Sequence, residues 1–270
     1  MDLCHDLIES DRTYFERGAR QVELPGAVLV HMPAFQDIPA GATVHRIDPA
    51  AILPDPLTWV VAVEAITADL GLPRSRLFLE RAAPQLELAL TMLGYRSRPE
   101  AGLVRSAAPA ASTVELVPIS TEDEWIRKQA IHALPEDAPD GFPMDPTRWV
   151  AFEQAKAAAG YFTMYLAIQD GVTCGTVGLH RSGALLRFKN LVVASAHRRR
   201  GVGAAILDAM TAMAHADGLA AIGCFALWGE TVAWYRANGF GDAVTQVGWD
   251  RTLTAQEPAR LVGRRVHAYS

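Results

Sequence analysis

The chain has 270 residues, half of them apolar, and a formal net charge of -5. That length supports one large domain or two of ordinary size with cores of their own, and the acidic balance argues against a nucleic-acid or anionic-membrane partner while leaving room for a local basic cluster. Cys4, Cys174 and Cys224 are odd in number and lack CxxC spacing, which indicates neither a disulfide framework nor a metal site.

The opening MDLCHDLIES is acidic, without the charged-then-apolar order of a signal peptide, and no apolar run is long enough to span a bilayer. A soluble, cytoplasmic protein is expected, and the scarcity of lysine (Lys128, Lys156, Lys189) beside abundant arginine and alanine suggests a GC-rich bacterial genome. In chain order the pattern predicts a helix over Leu3 to Arg17, strand-like AVLVHM and TVHRI, a helix over Leu57 to Leu70, strand RLFLE and a helix over Pro84 to Leu93. The small, Pro-containing stretch RSAAPAASTV, Arg105 to Val114, reads as a linker. It divides the chain into domains at 1–108 and 109–255, with a tail at 256–270.

After the linker come a strand (Val114 to Ile119), a helix (Thr121 to His132), a Pro/Asp-rich loop and a helix (Pro146 to Ala159). Three strands follow, Tyr161 to Ile168, Val172 to His180 and Leu185 to Val193, joined by QDG and RSG turns of hairpin chemistry. A helix with Val202, Ala205, Ile206, Ala209, Met210 and Met213 on one face ends at Asp217-Gly218, and strand (Ala220 to Ala226), helix (Glu230 to Asn238) and strand (Val244 to Leu253) complete the pattern. Shifting the chain against itself by 145 positions lays Gly94-Tyr95 on Gly239-Phe240 and the preceding strand and helix on their counterparts. The second half of each segment reads as one unit, repeated.

The two copies differ at one junction. The second has SAHRRRGVGAA, Ser195 to Ala205, where the first has LPDPLT, Leu53 to Thr58; and opposite Tyr235 the first copy has Leu90. A helix N-terminus offers unpaired N–H groups and partial positive charge, and Gly201 and Gly203 would let an anion approach them, with Arg198, Arg199 and Arg200 adding charge. A P-loop is ruled out because Gly203 is followed by Ala204 and Ala205, and a dinucleotide fingerprint lacks its third glycine, the position being Ile206.

What remains, Arg198-x-x-Gly201-x-Gly203 between a strand and a helix, resembles the coenzyme A pyrophosphate loop of the GNAT N-acetyltransferase superfamily. Its usual companion, a helix ending Tyr-x-x-x-Gly-Phe, is present as WYRANGF, Trp234 to Phe240, and the match covers about Val114 to Leu253. The resemblance implies an α/β fold of tandem GNAT-like domains, each a mixed sheet flanked by helices, the first a degenerate copy without the cofactor loop. It further implies acetyl-CoA as co-substrate. Leu191, Val192 and Val193 would meet the pantetheine arm, and Arg198, Arg199, Arg200, Gly201, Val202, Gly203 and Ala204 the pyrophosphate. Tyr235 would be the general acid that protonates the departing thiolate, a task suited to a phenol that stays protonated at neutral pH. The alternative for Tyr235 is an aromatic that packs on an amphipathic helix.

Trp228 and Thr231 depart from the family's usual asparagine and alanine, which puts the side contacts to the cofactor in question. No general base stands out: Glu230 opens a helix, His180 ends a strand beside a hairpin, and Cys224 reads as a small buried hydrophobe. The acceptor expected is a primary amine of a small molecule or peptide, drawn by the acidic segment from His132 to Trp149 with Glu136, Asp137 and Asp140. No metal, nucleic acid or membrane is implied, and a homodimer is compatible with the reading. Two other functions compete, a non-catalytic acyl-CoA-binding sensor and a transferase of another acyl group.

Overall fold

The structure, a computed structural model, describes residues 2–52, 54–132 and 145–253, and these form two units that do not follow linear order. One contains the described residues among 1–18 and 100–244, the other those among 19–99 and 245–253. The expected division at 108/109 is therefore not where the compact units part. The stretch read as a linker is irregular, but it lies inside the first of these units, where Ala107 N–H donates to Ala220 O at 2.8 Å and Ser112 Oγ to Ala205 O at 2.7 Å. The acidic loop at 133–144 and the tail from 254 lie outside the described residues. Among the described residues no helix is long and apolar enough to cross a membrane.

The smaller unit begins with β1 (Arg20–Leu24) and β2 (Ala27–His31), an antiparallel hairpin turning at Pro25-Gly26, where Gly26 takes a φ of 70°. Strand β1 escapes the sequence pattern because four of its five residues keep solvent contact, leaving only Leu24 buried. Then come β3 (Ala42–His45), the short α2 (Pro49–Ile52), α3 (Pro56–Asp69), β4 (Arg74–Leu79) and α4 (Pro84–Met92). Strands β3 and β4 run parallel, as a helical crossover requires. The fifth strand of this sheet is the end of β11 (Gly241–Thr252), which pairs antiparallel with β4 from Val247 to Thr252. Trp249 joins Leu77, Leu79, Val60 and Leu90 in the core, and Arg251 Nη1 reaches the buried Glu64 at 2.8 Å.

The larger unit starts with α1 (Leu3–Glu16) and resumes within β5 (Arg96–Ser106), followed by β6 (Glu115–Pro118), α5 (Glu122–Ile131), α6 (Pro146–Ala158), β7 (Thr163–Gln169), β8 (Val172–Ser182) and β9 (Leu185–Val193). Helix α7 (Val202–Ala216), β10 (Ala221–Leu227) and α8 (Glu230–Ala237) complete it. Its sheet order is β5-β10-β9-β8-β7-β6, with β9 and β10 parallel and the other pairs antiparallel. Each strand that closes a repeat thus completes the sheet of the other repeat: β5 pairs with β10, and β11 with β4. This exchange is why a linear boundary fails.

Helix α1 docks through specific bonds. Lys156 Nζ on α6 donates to Tyr14 O at 2.5 Å and Arg17 O at 2.8 Å, capping carbonyls left unsatisfied at its C-terminus. At the other end Asp6 Oδ2 accepts the Ala184 N–H at 2.9 Å. On α7 the buried stripe is Val202, Ile206, Leu207, Met210, Thr211 and Ala214. The expected stripe is rotated: Ala205, Ala209 and Met213 lie at its edge and Leu207 takes a central place, because the larger side chain gains more from burial.

Candidate functional site

Strands β9 and β10 pair only at Ala221↔Leu185, Ile222↔Leu186 and Gly223↔Arg187. Beyond that point each stays paired on its outer edge, β9 to β8 as far as Val193 and β10 to β5 as far as Leu227. Their facing edges diverge and leave a cavity of about 340 Å³ whose lining includes Glu100, Lys189, Asn190, Leu191, Cys224 and Tyr235. Of the three strand residues expected to meet a pantetheine arm, Leu191 lines this cavity directly, and Val192 and Val193 continue the same half-buried strand.

A bulge shapes the cavity wall. The β8–β9 register shifts between Thr176 and Gly178, and Asn190 sits there with a φ of 56°. Bulges re-aim the backbone next to active sites. Asn190 Nδ2 donates to Glu153 Oε1 on α6 at 2.8 Å. Glu153 is fully buried and also accepts from the buried Lys128 Nζ, which in turn lies 3.1 Å from His132 Nε2. Burial presses the Lys128 pKa downward while Glu153 opposes the shift.

After β9 the chain makes a single turn over Ser195–His197, then holds Arg199 at a φ of 59° and Gly201 at 79° before α7 begins. Among the described residues no side chain caps α7, so its first N–H groups have no side-chain acceptor there. The added β-carbon at Gly201 would meet open space, but its left-handed backbone favours glycine. Gly203 is glycine for another reason: a β-carbon there would stand 3.0 Å from Cζ2 of Trp234. The expectation that Gly203 clears room for an anion is corrected to that extent, since its missing side chain faces an indole. Arg198, Arg199 and Arg200 are all exposed, and Arg198 Nε donates to Val193 O at 3.0 Å, tying the loop to the strand end. Val202 is buried beneath the loop, and Ala204 is half-buried in the first turn of α7.

In the smaller unit the counterpart of this helix start is closed. Asp55 Oδ1 accepts the Thr58 N–H at 3.0 Å, so a carboxylate already fills the position an anion would take, and Leu90, opposite Tyr235, is wholly buried in the core.

Tyr235 projects from α8 into the cavity wall among Phe188 and Phe240, with ring centroids 5.8 and 5.2 Å away. Its hydroxyl lies in the neighbourhood of the Cys224 thiol, which lines the same cavity. Burial raises the phenol well above its ordinary pKa, with Cys224 adding to the shift, so it stays protonated as a proton donor must. Burial also pushes the Cys224 thiol up to about 12, which fits a small hydrophobe and not a nucleophile. Trp228 is nearly half exposed, beneath Arg236 at 5.2 Å. Glu230 is exposed at the first turn of α8. His180 stacks on Tyr161 at 4.5 Å, and burial lowers its pKa; it is not brought into the cavity lining.

Four charged residues of this region were not legible beforehand. Asp11 on α1 accepts from Arg187 Nη2 and from Lys189 Nζ, each at 2.9 Å, and both cations line the cavity. Burial works to raise the Asp11 carboxyl, yet the two cations together hold it well below the ordinary carboxylate range. Glu100 enters the lining from β5. The acidic residues around Arg187 are distant in sequence, on strands and helices whose pairing no local pattern reveals.

Residues 160–241 match the model of the acetyltransferase (GNAT) domain. Among solved structures the chain is similar to a GCN5-related N-acetyltransferase from Kribbella flavida (16% identity, TM-score 0.62, covering 95% of this chain and 98% of that one). It is also similar to a functionally unknown conserved protein from Staphylococcus epidermidis (11%, 0.63, 87% and 95%). A third is a tandem GNAT protein from the clavulanic acid biosynthesis pathway (10%, 0.53, 84% and 78%). No curated protein matches. The fold is that of the tandem GNAT proteins, and the match to the GNAT acetyltransferase domain is confined to residues 160–241.

Proposed function

We propose that the chain is an acetyl-CoA-dependent N-acetyltransferase in which a primary amine attacks the thioester directly. The observation that carries this reading is the divergence of β9 from β10 after Gly223↔Arg187, with Tyr235 on the wall of the resulting cavity. Backbone groups of Leu191, Val192 and Val193 bind the pantetheine arm, and N–H groups from Arg198 to Ala204 hold the pyrophosphate at the uncapped start of α7. Arg199 and Arg200 supply charge at the rim, and Trp228 flanks the cofactor from its exposed position.

In the reaction the amine nitrogen forms its bond to the thioester carbon, a strand N–H beside the bulge supports the oxyanion, and the C–S bond breaks. Tyr235 gives its proton to the departing sulfur. The nitrogen loses the protons it no longer needs, one restoring the phenol and one passing to solvent. The smaller unit is expected to hold no coenzyme A, because Asp55 occupies its helix start.

Thiol release from acetyl-CoA over a panel of amines tests the proposal. Tyr235→Phe should lower kcat by about 100-fold or more with little change in acetyl-CoA affinity. Coenzyme A binding without turnover on any amine would favour the sensor, and turnover with a larger acyl donor alone would favour a different acyl transfer.

A further inference from the structure

Strands β9 and β10 share their last backbone pair at Gly223↔Arg187, and the Arg187 side chain lines the cavity at the vertex where they part. Successive residues of a strand face opposite sides, which puts Arg187 with Leu185 on the side where Leu7 of α1 packs, while Leu186 and Phe188 belong to the core beneath α7 with Tyr235. From that side the guanidinium reaches both strands. Its Nη1 donates to Phe188 O on β9 and, at 3.4 Å, to Gly223 O on β10, and its Cζ lies 5.5 Å from the centre of the Phe225 ring, the next β10 residue on that side. Nη2 donates to Asp11 Oδ1 of α1 at 2.9 Å. Arg187 is only 2% exposed.

Charge does not explain the arrangement. The lining sets Arg187 and Lys189 against Glu100, and Asp11 accepts from both cations, so the positive and negative charges match. Stability does not explain it either, because apolar side chains of the same volume often serve as well as a buried ion pair. What arginine offers is a rigid planar fork that holds acceptors on several elements in fixed directions at once. At the vertex the ladder between the two strands stops, and buried carbonyls there need donors from elsewhere. Arg187 supplies them just beyond the last pair. Asp11 fixes the fork in turn, and α1 is tied to its unit by Tyr161 Oη, which donates to Ser10 O at 3.1 Å, and by Ser182 Oγ, which donates to Asp6 O at 2.9 Å.

We infer that Arg187 is a positioning residue for the acyl donor: it sets the opening between β9 and β10, and Asp11 of α1 braces it. The inference rests on the acetyl-transfer reading above, in which Leu191, Val192 and Val193, further along β9, bind the pantetheine arm. A strand moves as a stiff rod, so a change of angle at the vertex displaces those residues more than it displaces the vertex itself. The uncapped start of α7 is held separately, by Val202 and Ile206 in the core. Loss of the fork therefore weakens binding of the arm selectively and spares binding of the nucleotide half of coenzyme A.

The test measures binding of coenzyme A to the full chain, and binding of its nucleotide half, which keeps the pyrophosphate and lacks the pantetheine arm, beside urea unfolding. Arg187→Met should weaken coenzyme A at least about 10-fold, raise the KM for acetyl-CoA by a similar factor, and change binding of the nucleotide half by less than about two-fold. Arg187→Lys keeps the charge but not the fork, and should fall nearer to Arg187→Met than to the wild type. Asp11→Asn leaves Arg187 in place without its brace and should show the same selective loss, smaller in size; it and Arg187→Lys carry the test if Arg187→Met does not fold. Equal weakening of both ligands, wild-type affinity for coenzyme A in Arg187→Met or Asp11→Asn, or full affinity with lysine overturns the inference while leaving the transferase reading intact. A wild-type chain that binds no coenzyme A overturns both.

Discussion

The side-chain amide of Asn190 lies 2.8 Å from the carboxylate of Glu153, so a buried acid on α6 holds the bulge that shapes the cavity wall. Asn190 adopts a φ of 56°, a region that asparagine tolerates and alanine does not. Asn190→Ala should cost about 1–2 kcal/mol of stability and lower kcat, while Asn190→Gly should recover the backbone conformation and part of the rate. Glu153→Ala is the harsher change: it leaves Lys128 buried without its counter-charge, a loss of about 3–5 kcal/mol. Urea unfolding read beside steady-state kinetics separates these effects, and equal behaviour of the alanine and glycine variants would contradict the role given to the bulge.

The missing side chain at Gly203 is answered by Trp234, whose Cζ2 would stand 3.0 Å from an added β-carbon. Gly203→Ala should destabilise the unit by roughly 1 kcal/mol through overpacking. Combined with Trp234→Ala, the same change should become nearly neutral relative to Trp234→Ala alone. A double-mutant cycle measures this coupling, and strict additivity would show that the two residues do not constrain each other.

Cys224 is expected to be inert in the folded protein. With its pKa raised to about 12 by burial, the thiolate fraction at pH 8 is about one in ten thousand. Alkylation by iodoacetamide should therefore be slow until urea exposes the residue, and Cys224→Ala should retain acetyl transfer to within about ten-fold, the change arising from the altered surroundings of Tyr235. Complete loss of turnover in that variant, with coenzyme A binding preserved, would give Cys224 a chemical role.

Asp11 makes folding acid-sensitive in a defined way. Burial opposes its ionisation, but Lys189 and Arg187 hold its folded-state pKa below the ordinary value of 3.8. Such a carboxylate contributes stability that is fully present above its unfolded pKa and is lost as pH falls toward the folded value. Asp11→Asn should lower stability at pH 7 by about 3 kcal/mol, since two cations then lack their shared partner, and should flatten the loss of stability below pH about 4. Unfolding curves at pH 7 and at pH 3 check both halves; a variant that parallels the wild type across that interval would show that Asp11 does not carry the dependence.

Much of the fold and half of the site could be read locally. Helix and strand order follows from hydrophobic periodicity, as in α7, and the turn at Gly201 with the Tyr235 helix announces itself because both motifs encode backbone conformations and short spacings. The stripe on α7 was displaced because periodicity marks a face but not which of its residues gains most from burial. Glu100, Asp11 and Glu153 were invisible for a different reason. Each is a single acid in an ordinary strand or helix, and its meaning depends on partners brought near only by folding.

The residue sequence by itself determined the type and order of the elements and the glycine turn before α7 with its tyrosine helix, since propensity, period and turn chemistry act over a few neighbouring residues. Tertiary structure alone decided that the closing strands are exchanged between repeats, that α1 belongs with the later segment, and that Asp11 meets Arg187 and Lys189 at the strand opening. Those outcomes depend on hydrogen-bond ladders and buried charge pairing between residues far apart in the chain, where the free energy is set by which surfaces meet and not by local pattern.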